Sequence, residues 1–148
     1  MKALLLLTAL SLAMLGCGSD DATTAGTTDD DPIAAASTDL TVTVDPGSGG
    51  EAVTYTLTCG PSGGDHPDPD AACAALDAAT AGETKPLNPT PANQICTEIY
   101  GGDQTAVIEG TLNGEPLRTE LSRTNGCEIA RWDALQPVLV EPGGVQLD

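Results

Sequence analysis

"Thr105-Ala106-Val107-Ile108-Glu109-Gly110-Thr111-Leu112-Asn113-Gly114-Glu115-Pro116-Leu117-Arg118-Thr119-Glu120-Leu121-Ser122" is the stretch that decides the fold. Residues 105–112 and 117–122 read as strands. Asn113-Gly114 between them supplies two positions that tolerate positive φ, the strongest short hairpin signal in the chain. Upstream, Thr41-Val42-Thr43-Val44 alternates and stops at Asp45-Pro46-Gly47, and Val53 to Thr58 alternates again. A second hairpin through Gly47-Ser48-Gly49-Gly50 follows. Gly60 to Pro69 is rich in Gly, Pro and Asp and should be irregular. Asp70 is placed to cap a helix of Ala and Leu running to Ala79. Thr80 to Asn93 carries three prolines and reads as a long connection. Cys127 to Leu135 is expected to form a short helix and Pro137 to Val140 a last strand. The predicted class is α+β, a mainly antiparallel sheet with two short helices.

The 148 residues suit one small domain with extensions. Residues 1–16 read as a signal peptide: Lys2, then an apolar run to Leu15 too short to span a bilayer comfortably. Met14-Leu15-Gly16-Cys17 resembles the lipobox of bacterial lipoproteins, in which the cysteine carries lipid and anchors the chain to the outer face of the cell membrane; the alternative is an ordinary secreted chain cut nearby. Residues 17–38 are Asp, Thr, Ala, Gly and Ser with almost nothing to bury, so they read as a disordered acidic tether. The folded domain is then expected over 39–148. The formal charge of −17 leaves no basic patch to replace counterions on phosphate, which argues against nucleic acid.

The domain has no Phe, one Trp and two Tyr, so its core rests on Val, Leu, Ile and Ala. A core this light gains from staples. Cys59, Cys73, Cys96 and Cys127 remain after Cys17, and an even count in an exported chain reads as two disulfides with three arrangements open. No Cys-x-x-Cys exists and His66 is the sole histidine, which disfavours zinc. Asp65, Asp68 and Asp70 flank His66 but read as a capped, solvated turn, and no cofactor is implied. Catalytic motifs are absent too: Ser62 lies near His66 in a loop with no orienting frame.

The segment Gln94-Ile95-Cys96-Thr97-Glu98-Ile99-Tyr100-Gly101-Gly102 poses a separate question. The residues after Cys96 read as an extended strand, two glycines should end it, and Glu98 places a charge among β-branched neighbours.

Thr56-Leu57-Thr58-Cys59-Gly60-Pro61-Ser62-Gly63-Gly64-Asp65-His66-Pro67, followed by Ala71-Ala72-Cys73-Ala74-Ala75-Leu76, resembles the first half of the Streptomyces subtilisin inhibitor family. Cys96 to Tyr100 resembles its reactive-site segment, and Asn113-Gly114 and Asn125-Gly126-Cys127-Glu128 its later hairpin and second cysteine region. The resemblance spans about Asp39 to Leu135; the tether and lipobox lie outside the family's usual secreted form. It implies one antiparallel sheet with two helices, a homodimer through the sheet, and the pairings Cys59–Cys73 and Cys96–Cys127. It also implies standard-mechanism inhibition of serine endopeptidases, with Glu98 as primary specificity residue and Glu98–Ile99 as the bond presented. Cys96 and Thr97 would share the contacting loop, Ile95 and Tyr100 would fill apolar subsites, and Asn125 would brace the loop by hydrogen bonds. Two departures matter for stiffness. Thr97 stands where the family commonly has proline, and Gly101-Gly102 should loosen the far side. Subtilisin-like enzymes favour apolar or long side chains in the primary pocket, so with Glu98 there either the target is a glutamyl-specific protease or binding to a subtilisin-like one is weak. The alternative reading is a lipid-anchored extracytoplasmic binding module of the same fold that inhibits nothing.

Overall fold

A computed structural model describes residues 37–140. The expected signal peptide, Cys17 and all but the end of the tether lie outside the described residues. Seven elements follow in order: β1 (Thr38–Asp45), β2 (Val53–Cys59), β3 (Gly63–Gly64), α1 (Pro69–Ala81), β4 (Thr105–Leu112), β5 (Glu115–Ser122) and α2 (Gly126–Ala134). The strands form one sheet in the order β3-β2-β1-β4-β5, with every neighbouring pair antiparallel. No helix among the described residues is long and apolar enough to cross a membrane.

The β4–β5 hairpin turns on Asn113 (φ 53°) and Gly114 (φ 83°), the left-handed pair that a two-residue turn demands. β5 starts two residues earlier than expected because it is an edge strand. Pro116, opposite Thr111, there loses no ladder bond that a central strand would need. Gly114 N donates to Ser37 O (3.0 Å) and Asn113 N to Thr38 Oγ1 (3.1 Å), so order begins ahead of the expected start at Asp39.

Register puts Leu40, Val42 and Val44 of β1 beside Leu57 of β2 and Ala106 and Ile108 of β4, all buried on one face. Thr41, Thr43, Thr54, Glu109, Arg118 and Glu120 alternate onto the other. α1 covers the buried face with Ala72, Cys73, Leu76 and Ala79, a helical spacing. α2 adds Trp132, and Leu135, Val138 and Leu139 complete the core.

Three expectations are corrected. The cap of α1 is Asp68, whose Oδ1 accepts from Ala71 N (3.0 Å), because Pro69 is already pre-set for the first turn; Asp70 lies within that turn. The segment read as irregular contains β3, invisible because two glycines carry no strand propensity; a Cβ on Gly64 would sit 2.1 Å from Thr56 O. Pro137 to Val140 forms no strand. Val138 N and Leu139 N bond back to Leu135 O, so these apolar residues are buried by a turn instead of a ladder. His66 is buried against this turn, its Nε2 donating to Val138 O (3.2 Å) and its Nδ1 accepting from Asp68 N (3.1 Å).

Candidate functional site

Ile95, Ile99 and Tyr100 are the exposed large apolar side chains among the described residues, at 92%, 58% and 66%. All three lie within six residues of one another in the 82–104 connection between α1 and β4. Cys96 to Tyr100 carries no regular secondary structure, so the run expected as a strand is not paired into the sheet.

The segment is held on both sides by one short piece of chain, residues 123–127, which make up the β5–α2 connection and the first residues of α2. Gly126 N donates to Thr97 O (2.9 Å), and Cys96 is disulfide-bonded to Cys127 with Cα atoms 5.4 Å apart. Gly101 N donates to Arg123 O (2.8 Å), and Arg123 Nε donates back to Gly101 O (3.2 Å). Between these clamps Glu98, Ile99 and Tyr100 are exposed, with no main-chain hydrogen bond among the described residues. The other disulfide joins Cys59 to Cys73 and ties β2 to α1.

Close approach explains both clamps. A Cβ on Gly126 would lie 2.0 Å from Thr97 Oγ1, and one on Gly101 would lie 2.9 Å from Ile129 Cδ1. Gly101 therefore does not loosen the far side, as its residue type suggests; it lets the chain press onto α2. Thr97, without proline's stiffness, is fixed by its carbonyl and by the bare Cα beneath its side chain.

Among the described residues the hydrogen bonds of Asn125 run to α2, not to the exposed segment. Its Oδ1 accepts from Cys127 N (3.0 Å) and Glu128 N (3.1 Å), capping α2, and none of its hydrogen bonds reaches Cys96 to Tyr100. The cap instead holds the helix that carries Cys127.

Sequence reasoning missed three supports. Arg131 is buried and donates from Nε to Pro86 O (2.9 Å), from Nη1 to Glu128 Oε2 (2.6 Å) and from Nη2 to Thr119 Oγ1 (2.9 Å). Glu128 Oε1 accepts from Thr90 Oγ1 (2.5 Å), so the network reaches the approach to the exposed segment. The i,i+3 spacing of Glu128 and Arg131 was the available signal. Beyond the clamp, Asp103 accepts from Ser48 N (2.6 Å) and from Ser48 Oγ, joining the exit of the loop to the β1–β2 turn. The Ser48 N–H, aided by its hydroxyl, lowers the Asp103 pKa.

Thr90, Gln94, Cys96, Thr97, Glu98, Thr124, Asn125 and Glu128 line an open concavity of about 600 Å³ beside the exposed segment. Glu128 is neutralised there by Arg131, whereas Glu98 has no ion-pair partner among the described residues.

A family model described as subtilisin inhibitor-like matches residues 34–125. Subtilisin inhibitor-like protein 1 of Streptomyces cacaoi is 34% identical over 80 residues, which is 53% of this chain and 72% of that protein. A crystal structure of Streptomyces caespitosus sermetstatin in complex with Bacillus licheniformis subtilisin aligns at 27% identity, covering 69% of this chain and 96% of that one, with a TM-score of 0.46. The chain belongs to the subtilisin inhibitor-like family. That is a family of protease inhibitors, so the chain is not an enzyme.

Proposed function

We propose that this chain is a standard-mechanism inhibitor of serine endopeptidases and that Glu98–Ile99 is the bond it presents. The observation that carries the reading is the exposed Glu98-Ile99-Tyr100 span, clamped on both sides to residues 123–127. Proteases bind substrates by adding an extended strand, and a segment ordered beforehand loses little entropy on docking. The protease serine attacks the Glu98 carbonyl carbon, its histidine takes the proton and passes it to the Ile99 nitrogen, and the Glu98–Ile99 bond breaks. An ordinary substrate then loses its leaving peptide. Here the Ile99 amine stays close, because Gly101 is bound to Arg123, while Glu98 stays close through Thr97 and Cys96. The retained amine can attack the acyl-enzyme and remake the bond, an intramolecular return with a large effective concentration. Ile95 and Tyr100 offer apolar side chains to subsites on either side.

Two disulfides suit an oxidising extracytoplasmic compartment. The lipobox-like Met14-Leu15-Gly16-Cys17 supports an anchor at Cys17 that holds the domain on the outer face of the membrane. Titrating a panel of serine endopeptidases with the chain tests the first part: inhibition is expected near one equivalent, and steady degradation counts against it. Detergent-phase partitioning that is lost in Cys17→Ser tests the second; partitioning unchanged by that substitution removes the anchor.

A further inference from the structure

We infer that the protease this inhibitor fits accepts an acidic side chain in a cationic primary pocket, and that enzymes with apolar primary pockets are poor targets. The inference rests on the inhibitor reading above and specifies its partner. Glu98 is exposed as the first residue of the clamped span, next to Thr97. Each described arginine is engaged away from it: Arg118 pairs with Glu109 and Glu120, Arg123 with Asp133, and Arg131 with Glu128. Lys85 Nζ donates to Thr80 O at the end of α1. Among the described residues the carboxylate therefore carries no counter-charge to a partner.

An ionised carboxylate taken into an apolar pocket loses its water and gains no partner. One that meets a guanidinium or imidazolium in the partner gains a charge-assisted hydrogen bond. The clamp sharpens this difference. Thr97 and Gly101 are each held by a main-chain hydrogen bond, which limits how far the span can swing Glu98 aside and offer Ile99 in its place. The field of the whole chain points the same way. A formal charge of −17 draws a cationic cleft toward it and repels an acidic one.

The test is an inhibition series with the full chain against a purified glutamyl-selective serine endopeptidase and against subtilisin, using wild type, Glu98→Gln and Glu98→Leu. Wild type is expected to inhibit the glutamyl-selective enzyme at least about 10-fold more tightly, and Glu98→Gln to lose about 10- to 100-fold on that enzyme alone. Glu98→Leu should reverse the preference, and rising salt should slow association of wild type with the glutamyl-selective enzyme more than that of Glu98→Gln. Tighter inhibition of subtilisin by wild type, or indifference of both constants to position 98, overturns the inference and leaves the inhibitor reading standing. A chain that inhibits neither enzyme in any of the three forms overturns both.

Discussion

At position 126 one hydrogen atom decides whether the loop can close. Gly126 opens α2, where alanine is a better helix former, so helix propensity alone predicts a small gain from Gly126→Ala. The methyl group would nevertheless lie 2.0 Å from Thr97 Oγ1, directly under the residue before Glu98. Gly126→Ala is expected to keep the fold, shown by an unchanged far-ultraviolet spectrum, and to weaken inhibition about 10-fold or more through displacement of the loop. Removing the colliding atom in Gly126→Ala/Thr97→Ala should restore much of the loss. A single variant as potent as wild type would show that the contact does not position Glu98. Arg123 acts on the other clamp as a positioning residue. Arg123→Ala should raise the proportion of cleaved inhibitor at equilibrium, because the leaving peptide loses one of its bonds through Gly101. Arg123→Lys, which lacks the directed Nε donor, should not fully rescue it.

Between elements the supports are polar, some largely buried, as in the Arg131 network, and some exposed, as at Asp65 and Asp103. Arg131→Met removes the partner of Glu128 in a largely buried site and leaves Thr119 Oγ1 and Pro86 O without their donor, so urea unfolding should show a loss of about 3 kcal/mol. A change within experimental error would mean that the network contributes nothing net. Two carboxylates set a pH dependence. Asp65 is lowered by Thr56, first through its backbone N–H and then its hydroxyl, and Asp103 is lowered likewise by Ser48. A folded-state pKa below the unfolded value stabilises above about pH 4, and the contribution fades as pH falls through the lower folded value. The fall in Tm between pH 5 and pH 2.5 should therefore be smaller in Asp65→Asn/Asp103→Asn than in wild type. An equal fall in both would show that these bonds do not couple to folding. Much at this scale was legible in sequence: alternation and Asn113-Gly114 located both hairpins, and the two helices fell close to where they were expected. What escaped was set by tertiary partners. β3 has only glycines to announce it, the Val138-Leu139 run buries itself in a turn, and the reach of Arg131 to Pro86 and Thr119 depends on elements far apart in the chain.

Over the whole molecule, the sheet and its buried face are a platform on which residues 123–127 carry a three-residue span. The proposed reactive segment was readable as motif, but the clamps that hold it were not. Gly101-Gly102 suggests slack, and only the closeness of Ile129 and the paired bonds to Arg123 reveal a clamp. The disulfide across that clamp closes a sequence separation of 31 residues, which restricts the unfolded chain by about 3–4 kcal/mol on the loop-entropy model. Its second consequence is kinetic. Cys96→Ala/Cys127→Ala should bind a protease briefly and then be consumed as a substrate; lasting inhibition by that variant would show that the bridge is dispensable. The most direct test of the central claim is the hydrolysis equilibrium of the Glu98–Ile99 bond. Intact chain and chain already cleaved at that bond are each incubated with a catalytic amount of a glutamyl-selective serine endopeptidase, and mass spectrometry follows the intact-to-cleaved ratio. The expected result is a single cleavage, between Glu98 and Ile99, with both samples converging on one ratio as the bond is remade. Progressive one-way cleavage, or a first cut at any other bond, would contradict the account.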